Sequence, residues 1–171
     1  MTAAAGNRPL RRGTDRCGGE QTAVTTGKGA DMNIKLHYDV PGDDFTRAGE
    51  ASGAVKRKMK QLGFDSDVIR RVAIAMYEAE INMVIHAGGG EADVEILPDR
   101  VTAVLTDHGP GIPDVDKAMQ EGWSTAPDNV RSLGFGAGMG LPNIKKYSDV
   151  LDIETKVGEG TVLTMTVLVK G

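Results

Sequence analysis

Residues 134–140 read Gly-Phe-Gly-Ala-Gly-Met-Gly, with glycine at every second position, and Leu141-Pro142-Asn143-Ile144 follows with the pattern of a helix start. Such a segment can hold phosphate. Without Cβ atoms the backbone can take positive φ and turn N–H groups toward an anion, and a following helix N-terminus adds partial positive charge. Pro142 suits a first helical turn, where its missing N–H costs nothing. The spacing excludes two common nucleotide loops. A dinucleotide fingerprint needs glycine at its first, third and sixth positions, but the sixth position from Gly134, Gly136 or Gly138 is Met139, Leu141 or Asn143. A Walker loop ends in Gly-Lys-Ser/Thr, and no Lys stands between Lys117 and Lys145. A flexible glycine hinge is the other reading of the same run.

Two further groups carry chemistry. Glu78 and Asn82 are spaced i, i+4 in an apolar helical stretch, so their side chains leave one face together. An unpaired buried polar group costs roughly 1–3 kcal/mol, so this stripe either serves a site or reaches solvent, as Glu80 beside it is expected to do. Asp107-His108-Gly109-Pro110-Gly111 follows a strand-like run. A carboxylate at a strand end can accept from an exocyclic amine, although Asp-x-Gly-x-Gly is also a common turn. His108 is expected to face outward, and His37 and His86 are too scattered to suggest a metal centre.

The elements that must position these groups follow from periodicity. Ile34, Leu36, Tyr38 and Val40 alternate with polar residues, a half-buried strand ended by Pro41-Gly42. Asp43 or Asp44 can cap a helix with apolar positions Phe45, Ala48, Ala51, Val55, Met59 and Leu62, stopping at Gly63. A second, largely buried helix runs from near Ser66 to the Gly88-Gly89-Gly90 stop. Strands at 92–97 and 101–106 form a hairpin around Pro98-Asp99-Arg100. Residues 109–132 read as a mobile loop with one short helical piece at 115–119. A helix at 141–147 and strands at 150–157 and 162–169, turning at Gly158-Glu159-Gly160, complete the pattern. The order βααββαββ predicts an α/β two-layer sandwich, a mixed, mostly antiparallel sheet with helices on one face.

At 171 residues the chain suits one domain with a full core. Residues 1–31 lack periodicity and read as a disordered tail: an upstream extension of a start at Met32, or a basic arm that touches a partner. The patterned domain is expected at 32–171. With 24 acidic against 20 basic residues and a net charge of −4, nucleic acid is not an expected partner, and 4% aromatics offers no stacking platform. The lone Cys17 has no disulfide partner, and no apolar run reaches membrane-spanning length; a cytoplasmic protein that does not engage membranes is expected.

Taken in order, Glu78-x-x-x-Asn82 on a helix, Asp107-x-Gly109-x-Gly111 after a strand and the Gly134 to Gly140 run resemble the nucleotide site of the Bergerat-fold superfamily of gyrase, sensor histidine kinases and MutL, over residues 32–171. The resemblance implies a Bergerat ATP-binding fold with ATP and Mg²⁺ as cofactors. Asn82 would supply an oxygen to Mg²⁺, and Asp107 would receive the adenine amino group. Gly160-Thr161 resembles the last box, whose Thr helps hold adenine through water. Gly109, Gly111, Gly134, Gly136, Gly138, Met139, Gly140 and Leu141 would complete the nucleotide contacts.

Glu78 narrows the resemblance, because sensor histidine kinases usually carry Asn at that place. The phrases Asp-x-Gly-Pro-Gly-Ile-Pro-Asp and Gly-Trp-Ser-Thr at 122–125 resemble the stress-switch branch of the anti-sigma factor serine/threonine kinases. In that reading the chain is a protein serine/threonine kinase. Glu78 takes the acceptor's proton, and Arg131 either approaches the γ-phosphate or is a solvated loop charge. The substrate would be an anti-sigma-antagonist protein. A sigma factor, a phosphatase and a second copy of the chain are the further partners the resemblance admits. Two other readings share these residues: a non-catalytic ATP-dependent anti-sigma binding module, and a detached histidine-kinase-like ATPase domain. This chain departs from the branch at His108 and in a longer loop at 126–132.

Overall fold

Period-2 alternation places most apolar residues of a strand on a single side, and that side carries the helices. The computed structural model describes residues 21–25, 32–42, 44–132 and 134–170. Its strands β1 (Gln21–Thr25), β2 (Asn33–Pro41), β3 (Gly89–Ile96), β4 (Arg100–Asp107), β5 (Val150–Lys156) and β6 (Gly160–Leu168) form one sheet in the order β1-β2-β3-β4-β6-β5. Ile34, Leu36 and Val40 of β2, Ala92, Val94 and Ile96 of β3, Val101, Ala103 and Leu105 of β4, and Leu163, Met165 and Val167 of β6 are buried in the core. The opposite side presents Lys35, His37, Asp39, Asp93 and Glu95.

The helices are α1 (Glu50–Gln61), α2 (Ser66–Ala87), α3 (Val115–Ala118), α4 (Asp128–Ser132) and α5 (Gly140–Tyr147). α2 is the central one. Asp65 caps its start by accepting from Asp67 N at 2.8 Å, and Gly88 ends it in the left-handed conformation. Its Val72, Met76, Ala79 and Met83 pack in the same core as α1 Val55 and Met59. Fully burying each of these Val and Met side chains contributes roughly 1.5–3 kcal/mol, so α2 is the rigid element on which a site can be built.

The α/β two-layer architecture is as expected, with four differences, the first being that the loop expected at 109–132 with one short helical piece carries a second, α4. Every described strand pairing is antiparallel, so the sheet is not mixed. Gln21–Thr25 does not belong to a patternless tail: it pairs with β2, Gln21 opposite His37 and Thr25 opposite Asn33. The rest of the expected tail, residues 1–20 and 26–31, lies outside the described residues, as do Cys17 and Asp43.

The first expected helix is in fact two pieces. Asp44 caps a 3₁₀ turn, Phe45–Arg47, by accepting from Thr46 N at 2.8 Å. The chain then passes through Gly49, at φ 97°, and restarts as α1. The break has a cause in α2. Glu80, 1% exposed, accepts from Gly49 N and Ala51 N through Oε1 at 2.9 and 3.1 Å and from Ser52 N through Oε2 at 2.9 Å. These are N–H groups that a helix start leaves without intrahelical partners, and the negative charge suits that end of the helix dipole. Glu80 therefore does not reach solvent.

Candidate nucleotide site

Asp107 closes β4 directly opposite Thr161 of β6. Its Oδ1 accepts from Gly109 N at 2.9 Å and Thr161 N at 3.2 Å, which fixes the carboxylate at the sheet's end. Thr161 Oγ1 lies 3.0 Å from Thr155 Oγ1; Thr155 reaches Gly160 O at 3.1 Å and accepts from Ile112 N at 2.8 Å. The one hydroxyl proton of Thr155 has two acceptors in reach, Gly160 O and Thr161 Oγ1, and either threonine can donate across their contact, so Thr161 meets the cavity as donor or acceptor. Gly109 packs on Ala87 and Gly111 on the Lys156 carbonyl, bringing the turn after β4 onto the end of α2 and the β5–β6 hairpin.

Glu78, Asn82, Asp107 and Thr161 line one cavity of about 420 Å³. Gly111, Gly136, Gly138, Gly140 and Leu141 also line it, joined by His86 and by Trp123, Ser124 and Thr125 of the connection between α3 and α4. Gly109, Gly134, Met139 and Arg131 do not line it. Gly134 closes the turn after α4 through a 2.9 Å bond from its N to Arg131 O, and Met139 is the N-cap residue of α5. Arg131 points its Nη2 to Ser124 O at 2.9 Å, so its side chain braces the loop.

α5 meets the polar stripe of α2. Asn143 Nδ2 donates to Glu78 Oε1 at 2.9 Å. At Gly140 a Cβ would stand 2.9 Å from both Nδ2 and Oδ1 of Asn82, so the start of α5 lies directly against that amide and a side chain here would push it aside. Gly138 has φ +75°, and a Cβ there would fall 2.4 Å from Gly122 C, where Gly122 N donates to Gly138 O at 2.9 Å. That bond ties the loop to the glycine run. Phe135 stacks on Phe45 with centroids 6.3 Å apart, tying the run to the 3₁₀ turn ahead of α1.

His86 sits one turn beyond Asn82 on the cavity wall with one edge in solvent. Loss of water around its inner edge lowers its pKa below the ordinary imidazole value, against the pull of the Asp107 charge. His108 is exposed, as expected. Thr155 and Asn143 had no place in the sequence-based site, because their roles arise from partners across the sheet and between helices. The Trp123-Ser124-Thr125 segment carries no cavity role in the sequence alone, yet it lines the wall.

The ATPase domain profile described as "Histidine kinase-like ATPase domain" matches residues 43–167. The chain is 35% identical over 106 residues to the serine/threonine-protein kinase RsbT of Bacillus subtilis, a match spanning 60% of this chain and 74% of that protein. It is 31% identical over 140 residues to the anti-sigma F factor of Caldanaerobacter subterraneus, spanning 79% of this chain and 91% of that protein. A third relative, the anti-sigma F factor of Clostridium botulinum, is 34% identical over 140 residues, spanning 78% of this chain and 91% of its own.

Proposed function

This chain belongs to the histidine kinase-like ATPase domain family, in the group of anti-sigma serine/threonine kinases, and on that premise we propose that it phosphorylates a serine or threonine of an anti-sigma-antagonist protein. The observation that carries the reading is one cavity shared by a carboxylate and an amide on a rigid helix, Glu78 and Asn82, and by the glycine run.

Asp107 would accept the exocyclic amine of adenine. Thr161, whose hydroxyl can accept or donate, would help hold adenine through a water beside it. The backbone of Gly136, Gly138 and Gly140 would face the phosphates. Asn82 fits a hard cation, since its amide stands against Gly140 on the cavity wall and presents an oxygen of the type Mg²⁺ takes alongside waters and phosphate oxygens. When bound, Mg²⁺ would neutralise charge on the phosphate oxygens.

In the transfer, a bond forms between the acceptor oxygen and Pγ while the bond from Pγ to the β–γ bridging oxygen breaks. ADP leaves with that electron pair, and the acceptor's proton passes to Glu78. Arg131 reaches the γ-phosphate only if it exchanges its hydrogen bond to Ser124 O. A phosphate placed in the antagonist's interface would then eject a partner through repulsion and desolvation. A cytoplasmic location accompanies this reading; among the described residues no helix is long and apolar enough to cross a membrane.

The test incubates the chain and Glu78→Gln with radiolabelled ATP, Mg²⁺ and a panel of purified antagonist-domain proteins. Acid-stable label on an antagonist's serine or threonine is expected with the native chain and absent with Glu78→Gln, while ATP affinity stays within about twofold. Undiminished transfer by Glu78→Gln overturns the role of Glu78, and acid-labile label points to the histidine route.

A further inference from the structure

We propose that Asn143 is a positioning residue for Glu78: its side-chain amide holds the carboxylate in the rotamer that takes the acceptor's proton, and makes that hold conditional on the seating of the glycine run. This rests on the reading of Glu78 as the proton acceptor.

The geometry is direct. Asn143 Nδ2 stands 2.9 Å from Glu78 Oε1, both side chains are half-buried, and 65 positions of sequence separate them. A carboxylate only accepts, so the amide must present its NH₂ rather than its oxygen, and the donated bond leaves Oε2 for the acceptor hydroxyl. Glu has several rotatable bonds. A single ordered partner on one oxygen converts a side chain that samples many rotamers into one held at the geometry proton transfer needs, and misplacement by about 1 Å can cost 100-fold.

Asn143 lies in the first turn of α5, where side chains lean back toward the helix start and so toward α2. Its backbone N–H donates to Met139 O at 2.9 Å, the first bond of α5 to a residue of the glycine run. The preceding residue, Pro142, has no N–H to give. Through Asn143 the position of Met139, and hence of Gly138 and Gly140, is mechanically linked to Glu78. Release of the run would free the carboxylate, so the proton acceptor is held in place when the phosphate cradle is closed.

The test uses the full chain with Mg²⁺ and radiolabelled ATP in single turnover, with water in the place of the acceptor hydroxyl and release of labelled phosphate as readout. Affinity for a fluorescent ATP analogue and Tm are measured in parallel. Asn143→Ala is expected to slow turnover about tenfold, with ATP affinity within about twofold. Asn143→Asp keeps the shape but sets a second carboxylate against Glu78, and is expected to be slower than Asn143→Ala. A merely structural role gives the reverse order, with the isosteric Asp near the native rate, and that order overturns the proposal.

If Asn143→Asp lowers Tm, the double variant decides. In a Glu78→Gln background, Asn143→Ala is expected to slow the residual rate no further, and a further tenfold loss overturns the proposal. The two readings fail differently. Full turnover by Glu78→Gln removes the proton-acceptor role and this proposal with it, whereas loss in Glu78→Gln with native rates in both Asn143 variants removes this proposal alone.

Discussion

Glu78 and Glu80 stand two residues apart on α2, yet the helix turns one toward a cavity and the other into a closed set of donors. Glu80 takes three backbone N–H groups from Gly49, Ala51 and Ser52 and is 1% exposed. Glu78 takes one side-chain amide and lines the cavity. The difference teaches that the use of a carboxylate is set by how many of its lone pairs the fold has already filled. A filled carboxylate fastens structure, here the start of α1, and a partly filled one is left to meet a ligand.

The largest expected effect tests the filled end of that scale. Glu80→Ala leaves up to three N–H groups without their acceptor and opens a cavity beneath α1, and is expected to cost about 3–5 kcal/mol in urea unfolding. Glu78→Ala is expected to change stability by less than about 1 kcal/mol. Equal losses in the two variants would break the distinction between them.

Asp107 lies between these two. Both of its protein donors, Gly109 N and Thr161 N, address Oδ1, so the other oxygen remains for a ligand amine. Asp107→Asn keeps an oxygen for those N–H groups but sets an NH₂ where an amine would donate. ATP affinity is expected to fall about 100-fold or more by calorimetric titration, with the circular dichroism spectrum unchanged. Native affinity in this variant would remove the amine assignment and leave Asp107 as a turn residue only.

The same scale explains what could be read before the structure. Features built from neighbours in sequence were legible. Alternation located β2 through β6 to within a few residues, α2 starts at Ser66 and stops at Gly88 as its pattern demands, and Gly134, Gly136 and Gly138 all take positive φ. The i, i+4 pair Glu78 and Asn82, Asp107 and the glycine run do meet in one cavity.

Features built from distant partners were not legible. Glu80 reads as solvent-facing in the sequence because its donors lie 28 to 31 positions away, and the same contacts divide the first helix at Gly49. Asn143 and Thr155 looked like ordinary polar residues of a helix and a strand until Glu78 and Thr161 were set beside them. The pairing of β1 with β2 likewise depends on partners rather than on local pattern.

The smallest expected effect belongs to a carboxylate at the surface. Asp93 Oδ1 is 2.7 Å from His37 Nδ1 on the side of the sheet without helices, with Asp39 and Glu91 nearby. The Asp93 hydrogen bond is the largest influence on His37 and raises its pKa, partial burial opposes it, and the charges of Asp93, Asp39 and Glu91 add to the rise. A raised folded-state pKa means that the protonated pair stabilises the fold fully below the unfolded value of about 6.5, and that this contribution is lost as pH rises through the folded value. Solvent screening holds it below about 1 kcal/mol. Native protein is therefore expected to exceed His37→Gln in unfolding free energy by a few tenths of a kcal/mol at about pH 5.5, and by nothing measurable at about pH 8.5. A gap of the same size at both pH values would show packing rather than charge at work. It would place His37 with Glu80, among the groups whose partners the fold has already filled.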